Sequence, residues 1–494
     1  MRAVATGSRL TGRRATALSA ALVGVGLVVA VVGSLGAPLI TPVASGLHVS
    51  LDAAQWTLTV TLFAGAVAGP VLGRLGGGPW RRRVILTCMV IVVVGGVLTT
   101  IASSFPVLLI GRVLQGVGLG GVPLLMSVAR SHLAERRAAS TIAALSVAST
   151  VGIGVGYPLV GLLDQVAGLR AAYGCGLALS LAALLVAWVM LPAEPPGPRP
   201  RIDWPGGLLL AVATLGLLLI VAEPAVWHSL WTSLTVPIVT IAAFGCWVCV
   251  ELRSATPLVD VRLLSRPTVF RANAAMAVAG IGLYLLFSVL TRYLQTPDDA
   301  AYGFALPGVA AGAALIPFSV LGFVAGKASP TLITHLTVRW AYLISSLIAM
   351  LAALVFASGN HSLALVLIAM ALLGYGVGGI SAAMPALVLA GVPETETASV
   401  LTINQIVRSV GFAIGSALAG LILATSTPAD ALLPEHHGYV IAALWSLLPL
   451  GLGALAAGVS RPRRRPRLRD DSPSRRRTSA TRLDPGSGRW SPRP

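Results

Sequence analysis

The chain has 494 residues, of which 56% are apolar and only 11% are charged, and its mean hydropathy is +0.86. A soluble domain carries about a quarter charged residues, so this composition excludes an ordinary soluble protein. The net charge of +18 would suit a nucleic-acid-binding protein. The arginines, however, fall in short clusters between long apolar blocks and in one C-terminal tail. That distribution indicates a membrane protein and argues against nucleic acid as a partner.

Fourteen apolar blocks follow one another, each near the length of about 20 residues that crosses a bilayer. The first block is too long for the apolar region of a cleaved signal peptide, which is about 7–15 residues, and is therefore predicted to be a retained membrane helix. The blocks span residues 17–41, 54–75, 84–103, 106–129, 139–163, 171–191, 205–222, 232–251, 270–293, 305–327, 339–357, 362–391, 399–424 and 438–459.

The charges between the blocks predict the orientation of the chain. With the N-terminus placed inside, the segments on the inner side hold 31 of the 35 Lys and Arg residues. Loops that face the cytoplasm are rich in these residues. Both termini are therefore predicted to be cytoplasmic, in a multi-pass protein of the bacterial plasma (inner) membrane.

An internal repeat divides the predicted helices into two groups. Gly116–Gly121 in block 4 and Gly374–Gly379 in block 12 have the same spacing of glycines, and each is followed by a loop and a further Gly-rich helix. Repeats of this kind are typical of transporters, although small-residue runs also arise from helix packing alone. The predicted fold is all-α: an N-terminus at 1–16, a six-helix half at 17–192, a two-helix insertion at 193–268, a second six-helix half at 269–459, and a disordered basic tail at 460–494.

Polar residues inside the fourth block form the strongest candidate site. An arginine in a membrane helix costs about 2.5–3.5 kcal/mol on insertion scales, so it usually faces the protein interior or water. Arg112 and Gln115 lie one turn apart and could share a hydrogen-bond network. The alternative is a structural arginine that binds backbone carbonyl groups.

The segment Arg112-Val-Leu-Gln115-Gly116-Val-Gly118 resembles the helix-4 motif of the major facilitator superfamily, in which the arginine is associated with proton coupling. A second segment resembles the loop motif of the same family, which gates the rocking of the two halves. Its matching residues are Gly73, Arg74, Arg81, Arg82 and Arg83. Here Gly77 stands where that motif has an acid, and Trp80 stands where it has its second glycine.

The fifth block is similar to the antiporter motif of the family, with Gly152, Gly156, Pro158 and Gly161. Two glycines on one face allow close helix packing, and a proline bends the helix. Further segments, including Ile202–Gly207 and Pro257–Leu264, resemble those of the fourteen-helix drug:proton antiporters. The resemblance covers nearly the whole chain except the tail and implies efflux in exchange for protons.

The first helix lacks the aspartate found in that family, and all 17 acidic residues lie in loops, in the tail or near helix ends. Asp164 and Glu223, at outer helix ends, are the candidate proton sites, and each also fits a solvated interfacial carboxylate. Arg408 and Asn404 on predicted helix 13 are the remaining transport candidates, because a mid-helix arginine is expected to face the central cavity or the cytoplasmic mouth.

These features predict a monomeric secondary transporter that exports small amphipathic molecules, such as drugs, antibiotics or metabolites, in exchange for protons. Its partners are the small-molecule substrate, protons and the lipid bilayer. An uncoupled facilitator or importer stays open because of the missing acids, and a non-transporting receptor or scaffold because of the altered loop motif. An enzyme is disfavoured, and the sequence predicts no cofactor and no metal site.

Overall fold

The computed structural model describes residues 10–36, 39–49, 51–76, 78–193, 203–222, 225–254, 257–296, 302–306, 308–390, 392–393, 396–428 and 434–459. Within these ranges the secondary structure is helical, apart from one isolated bridge between Leu10 and Leu133. The prediction of an all-α protein is thus confirmed for this part of the chain, while the tail predicted at 460–494 lies outside it. The α-helices are α1 (Gly12–Ser34), α2 (Ile40–Gly46), α3 (Leu51–Leu75), α4 (Arg81–Ile101), α5 (Phe105–Gly120), α6 (Val122–His132), α7 (Glu135–Met190), α8 (Trp204–Ala222), α9 (Ala225–His228), α10 (Leu230–Arg253), α11 (Pro267–Gln295), α12 (Gly308–Ala313), α13 (Ile316–His335), α14 (Val338–Gly359), α15 (Leu363–Val388), α16 (Thr397–Thr425), α17 (His436–Trp445) and α18 (Leu447–Val459).

Twelve helical stretches of the described residues are long and apolar enough to cross a membrane. The predicted count of fourteen is therefore not supported. Predicted blocks 5 and 6 lie together in α7, which Gly168 interrupts with a φ of +79°. Glycine adopts such a φ without strain, so a break at one glycine separates the two blocks. Predicted block 7 corresponds to α8, whose apolar stretch Trp204–Ile220 is shorter than the twelve.

The two glycine runs of the internal repeat make equivalent contacts. Gly116 lies so close to α3 that a Cβ atom would meet the carbonyl oxygen of Thr61. Gly374 lies equally close to the carbonyl oxygen of Phe318 on α13. Small residues at these positions allow the helix backbones to approach, as is common in membrane bundles.

The alternate glycines of the same runs face a different neighbour. Gly118 packs against Val92 on α4, and Gly376 packs against Ala349 on α14. Each run therefore seats its helix between two others, α3 and α4 in the first half of the chain and α13 and α14 in the second.

A second pair of glycine contacts repeats in the same way. Gly152 and Gly156 on α7 pack against α1, next to Ala30 and Ser34. Gly411 and Gly415 on α16, with the same four-residue spacing, pack against the carbonyl oxygens of Ala277 and Ile281 on α11. The sequence analysis identified the first pair and missed the second.

Buried apolar residues form two large clusters, one built mainly from α1–α7 and the other mainly from α11–α18. Leu210 of α8 and Trp247 of α10 belong to the second cluster. Many large apolar side chains point outward instead; Trp204, Leu230 and Trp231 are each more than two-thirds exposed. An apolar exterior of this kind fits a protein whose surroundings are lipid.

Candidate functional site

Arg112 lies in α5 with its side chain completely buried. Its Nε donates a hydrogen bond to the carbonyl oxygen of Thr57 on α3 at 3.1 Å. Nη1 and Nη2 donate to the carbonyl oxygens of Val32 and Gly33 near the end of α1, at 3.0 and 3.1 Å. The guanidinium therefore joins three helices through backbone acceptors, and it forms no salt bridge with a carboxylate of the described residues.

Gln115 extends this network to a fourth helix. Its Oε1 accepts a hydrogen bond from Arg112 Nη1 at 2.7 Å, and its Nε2 donates to Thr99 Oγ1 on α4 at 3.2 Å. Thr61 Oγ1 on α3 donates to the carbonyl oxygen of Arg112 at 3.2 Å. These contacts are those of a structural clasp within the first half, and the coupling role implied by the resemblance stays a prediction.

Tyr173, in the second part of α7, interacts electrostatically with both Arg112 and Asp164. Its side chain is buried, and its hydroxyl group has no hydrogen-bond partner among the described residues. Asp164 lies half-buried in the first part of α7. The structure thus places a buried, unpaired hydroxyl group within electrostatic range of one predicted proton site and of the helix-4 arginine.

The other predicted proton site, Glu223, lies outside the described residues. A different acid, Glu251 near the end of α10, is completely buried. Its Oε1 accepts a hydrogen bond from Trp247 Nε1 at 3.1 Å, and its Oε2 accepts one from the backbone N–H of Val259 at 3.3 Å. Sequence reasoning passed over Glu251, because an acid at a helix end is usually solvated; here it ties α10 to the segment before α11.

We refer to α1–α7 as the first half and to α11–α18 as the second half. A cavity of about 60 Å³ lies between these two halves. Its walls come from α1, α5, α6 and α7 on one side and from α11, α15 and α16 on the other. Such a volume admits a few water molecules and is far below the roughly 300–1,000 Å³ of sites for drug-sized ligands. The residues that line it are Gly26, Ala30, Leu119, Val122, Pro123, Met126, Leu145, Ser146, Ala148, Met276, Ser381, Met384, Pro385, Leu401, Asn404, Gln405 and Arg408.

Arg408, Gln405 and Asn404 bring the polar groups of α16 to this cavity. Arg408 Nη2 donates a hydrogen bond to Gln405 Oε1 at 2.7 Å, and the guanidinium lies 5.8 Å from the ring centre of Phe412. Asn404 Nδ2 donates to Asn273 Oδ1 on α11 at 3.1 Å. Arg112 and Gln115 do not line the cavity, so the predicted transport residues separate into two sites.

The arginines of the predicted gating loop stay mainly within the first half. Arg81 Nη1 donates to Ser131 Oγ at 2.7 Å and to the carbonyl oxygen of Ser127 at 3.3 Å, which ties the start of α4 to α6. Arg82 donates to the carbonyl oxygen of Trp188 at 2.8 Å, and Arg83 lies over the ring of Trp80.

Two residues near that loop reach the second half. Arg130 at the end of α6 donates to the carbonyl oxygen of Val392 and to Thr397 Oγ1, each at 2.7 Å. Gly73, in the last turns of α3, leaves so little space that a Cβ atom would lie 3.2 Å from Thr402 Oγ1. We refer to this end of the bundle, with Arg81, Arg130 and the start of α16, as the arginine-rich end. The sequence analysis gave Arg130 no role.

The antiporter-like segment of α7 also contacts the second half. Ser319 Oγ on α13 donates to the carbonyl oxygen of Thr150 at 2.7 Å, and a Cβ atom at Gly154 would overlap the Ser319 side chain. Pro158 and Gly161 follow on the same helix. Since Gly152 and Gly156 pack on α1, this segment of α7 lies between α1 and α13.

The profile of the Major Facilitator Superfamily matches residues 18–416 of this chain. An uncharacterized MFS-type transporter of Mycobacterium tuberculosis is 29% identical over 281 residues, which are 56% of this chain and 41% of that protein. The multidrug resistance protein Stp of the same species is 26% identical over 380 residues, covering 76% of this chain and 69% of that protein. The crystal structure of the human organic anion transporter MFSD10 superposes with a TM-score of 0.63 and 15% identity over 91% of this chain and all of that one, which shows a shared fold. The chain belongs to the Major Facilitator Superfamily.

Proposed function

We propose that this protein is a secondary active transporter that exports small amphipathic molecules across a bacterial plasma membrane. The observation that carries the proposal is the contracted cavity between two halves that pack by the same glycine contacts. The halves touch at the arginine-rich end through Arg130 and along α7 through Thr150. Opening one set of contacts while the other stays closed would expose the cavity to one side at a time. Similarity to the multidrug resistance protein Stp supports drug-like cargo.

In the proposed topology the chain crosses the membrane fourteen times with both termini in the cytoplasm. Two features support this count. The break at Gly168 divides α7 into two helices, and α8, at 19 residues, is close to the length that a bilayer requires. The excess of arginine at one end of the bundle supports the orientation.

In the proposed mechanism, export is coupled to the inward movement of protons. The support is the electrostatic interaction of Tyr173 with both Asp164 and Arg112, which connects a carboxyl group that can take up a proton with the arginine of α5. Arg112 would then sense the charge of this group from within its clasp. Asp164→Asn keeps the size of the side chain and removes its titration.

The test is substrate-driven proton movement in proteoliposomes that contain the purified protein, under an imposed pH gradient, with a panel of lipophilic antibiotics and dyes. Proton flux that depends on the added compound is the expected result, and Asp164→Asn and Glu223→Gln show which acid carries it. Compound flux with no proton flux would contradict the coupling, and the absence of both fluxes across the panel would contradict export of such compounds.

An uncoupled facilitator is the second candidate, and the cavity lining favours it. The described residues around the cavity include Arg408 but no aspartate or glutamate, so a proton and a substrate have no shared carboxylate to compete for. Flux that follows the membrane potential and ignores the pH gradient would select this candidate.

A further inference from the structure

Arg408 is the charged side chain of the cavity, and its surroundings leave most of its hydrogen-bonding capacity unused. A guanidinium has five N–H groups in a planar fork. Within the described part of the chain, Arg408 has one hydrogen-bond acceptor, Gln405 Oε1. Its guanidinium also contacts the ring of Phe412, whose centre lies 5.8 Å away. Arg112, by contrast, has four acceptors, from Thr57, Val32, Gly33 and Gln115.

The difference in partners has an electrostatic consequence. The positive charge of Arg112 is stabilised by the dipoles of the carbonyl groups that it binds. The charge of Arg408 faces the cavity instead, and no carboxylate of the described residues lies within salt-bridge range of it. An arginine inside a membrane protein is stabilised by an anion or by water. A carboxylate or sulfonate group accepts two parallel hydrogen bonds from the guanidinium fork.

The neighbours of Arg408 leave room for such an anion. The Gln405 oxygen is occupied by Arg408 itself, so its amide N–H groups are left as donors. Asn404 is held by Asn273, whose own Nδ2 donates to the carbonyl oxygen of Val269 at 2.9 Å. Because Asn404 donates through Nδ2, its own oxygen is left as an acceptor. The unused N–H groups of Arg408 and Gln405 outnumber this acceptor, so the polar patch presents mainly donors, which suits an acceptor-rich group and not a second cation.

The remaining wall is apolar and adaptable. Met126, Met276 and Met384, one from the first half and two from the second, line the cavity. Methionine side chains are flexible and polarizable, and they accommodate apolar groups of different shapes. The cavity thus combines one cationic patch with a yielding apolar surface.

From these contacts, and resting on the transport function proposed above, we infer that the substrate is an amphipathic organic monoanion whose acid group binds Arg408. The apolar part of the molecule packs against the methionines once the halves separate and the cavity widens. An amphipathic cation would be repelled by the charge of Arg408, because none of the residues that line the cavity carries a carboxylate to offset that charge. Because the bacterial interior is electrically negative, an anion is driven outward by the membrane potential itself, which is consistent with a cavity that has no acidic lining.

The inference is tested by binding of matched fluorescent probes to the full-length protein in nanodiscs of zwitterionic lipid, with empty nanodiscs as the baseline. The probes are pyrenebutyrate, pyrenebutanol and pyrenebutyltrimethylammonium, which share one apolar skeleton and differ in charge. The wild-type protein should bind the anion at least tenfold more tightly than the alcohol or the cation. Equal binding of the three, or tighter binding of the cation, would overturn the inference.

Variants assign the selectivity to one residue. Arg408→Gln should abolish the preference for the anion, and Arg408→Lys should keep part of it because the charge remains while the fork is lost. The matched control is Arg271→Gln on α11, an exposed arginine away from the cavity, which should bind like the wild type. An anion preference that survives in Arg408→Gln would overturn the assignment, and Arg408→Lys keeps the test valid should the glutamine variant fail to fold.

Flux of the same probes in proteoliposomes separates this inference from the proposed function. Outward flux of pyrenebutyrate that requires Arg408 supports both. Anion binding without flux of any probe contradicts the transport function and leaves the site assignment standing. Flux of the cation or the alcohol without flux of the anion supports transport and contradicts the assignment of the substrate class.

Discussion

In the first half, Arg112 and Gln115 precede the glycine run of α5 and bind four helices together. In the second half, the residues at the same distance before the glycine run of α15 are Met370 and Leu373, both completely buried in apolar surroundings. The glycines themselves make equivalent contacts in both halves. Since the same framework packs well with an apolar pair, the polar clasp is not required for packing alone. Replacement of buried charged groups by well-packed apolar residues is often neutral for stability, so this comparison favours the hypothesis that the clasp has a role beyond stability.

The strongest test of this comparison replaces the clasp. Arg112→Ala is expected to leave the carbonyl groups of Thr57, Val32 and Gly33 without that donor, with a loss of stability on the order of 3 kcal/mol, and to abolish transport while membrane insertion is retained. Thermal unfolding of the detergent-solubilised protein and flux in proteoliposomes measure the two effects. The exposed Arg170→Ala is the control.

The double variant Arg112→Met with Gln115→Leu copies the second half into the first. We expect it to be more stable than Arg112→Ala, because it fills the space and leaves no half-satisfied amide group, and still to be inactive. Wild-type flux by this double variant would show that the clasp serves packing only.

The shared part of the comparison is the glycine packing, and it predicts equal effects in the two halves. Gly116→Ala and Gly374→Ala each force a methyl group against a facing carbonyl oxygen, and overpacking of this kind costs about 1–3 kcal/mol. Gly24→Ala and Gly451→Ala are matched controls, since a Cβ atom at either position meets nothing within 4 Å. A loss of thermal stability in one half but not in the other would contradict the equivalence of the two runs.

At the arginine-rich end, Arg130 of the first half donates hydrogen bonds to the second half, at the carbonyl oxygen of Val392 and at Thr397 Oγ1. Arg130→Gln is expected to shift the population toward separation at this end by about tenfold, since hydrogen bonds from a charged group contribute about 1.5–3 kcal/mol. Double electron–electron resonance between spin labels at the exposed positions Ala134 and Ala390 should then give longer distances in Arg130→Gln than in the wild type. Unchanged distances in Arg130→Gln, with the exposed Arg136→Gln as the reference, would exclude a closing role.

The smallest expected effect concerns the link from the clasp to α4. Thr99→Val removes the acceptor of Gln115 and should lower stability by about 1 kcal/mol, with a partial loss of flux. Thr100→Val is the matched control, because the Thr100 hydroxyl group donates only to the carbonyl oxygen of Gly96 in its own helix. Equal effects of the two variants would show that the Gln115 bond contributes nothing specific.

Much of the fold could be predicted because its signals are local. Apolar blocks located most of the helices, and the repeated glycine runs located positions of close packing, since both follow from neighbouring residues. The number of spans was the weak point: one glycine that changes φ sign separates two predicted spans inside α7, and a short apolar run such as α8 has no sharp boundary.

The site was predicted less completely. Arg112 and Gln115 were identified together because they lie one turn apart on one helix, a spacing that the sequence displays. Arg130 was missed because its partners, Val392 and Thr397, are distant in sequence. Glu251 was missed because an acid at a helix end is usually solvated, although its partners Trp247 and Val259 lie only four and eight residues away. Their chemistry depends on which backbone groups the packed bundle places opposite them.

The sequence by itself determined that this chain is a helical membrane protein with a doubled framework, because hydropathy, arginine clusters and glycine spacing are properties of the linear chain. Only the tertiary structure decided the surroundings of the two arginines inside its helices, Arg112 on α5 and Arg408 on α16. It surrounded Arg112 with carbonyl groups from neighbouring helices and left Arg408 facing a cavity between the halves. The physical reason is that the state of a buried charge is set by the acceptors within hydrogen-bond distance, and those are brought together only by the packing of helices far apart in sequence.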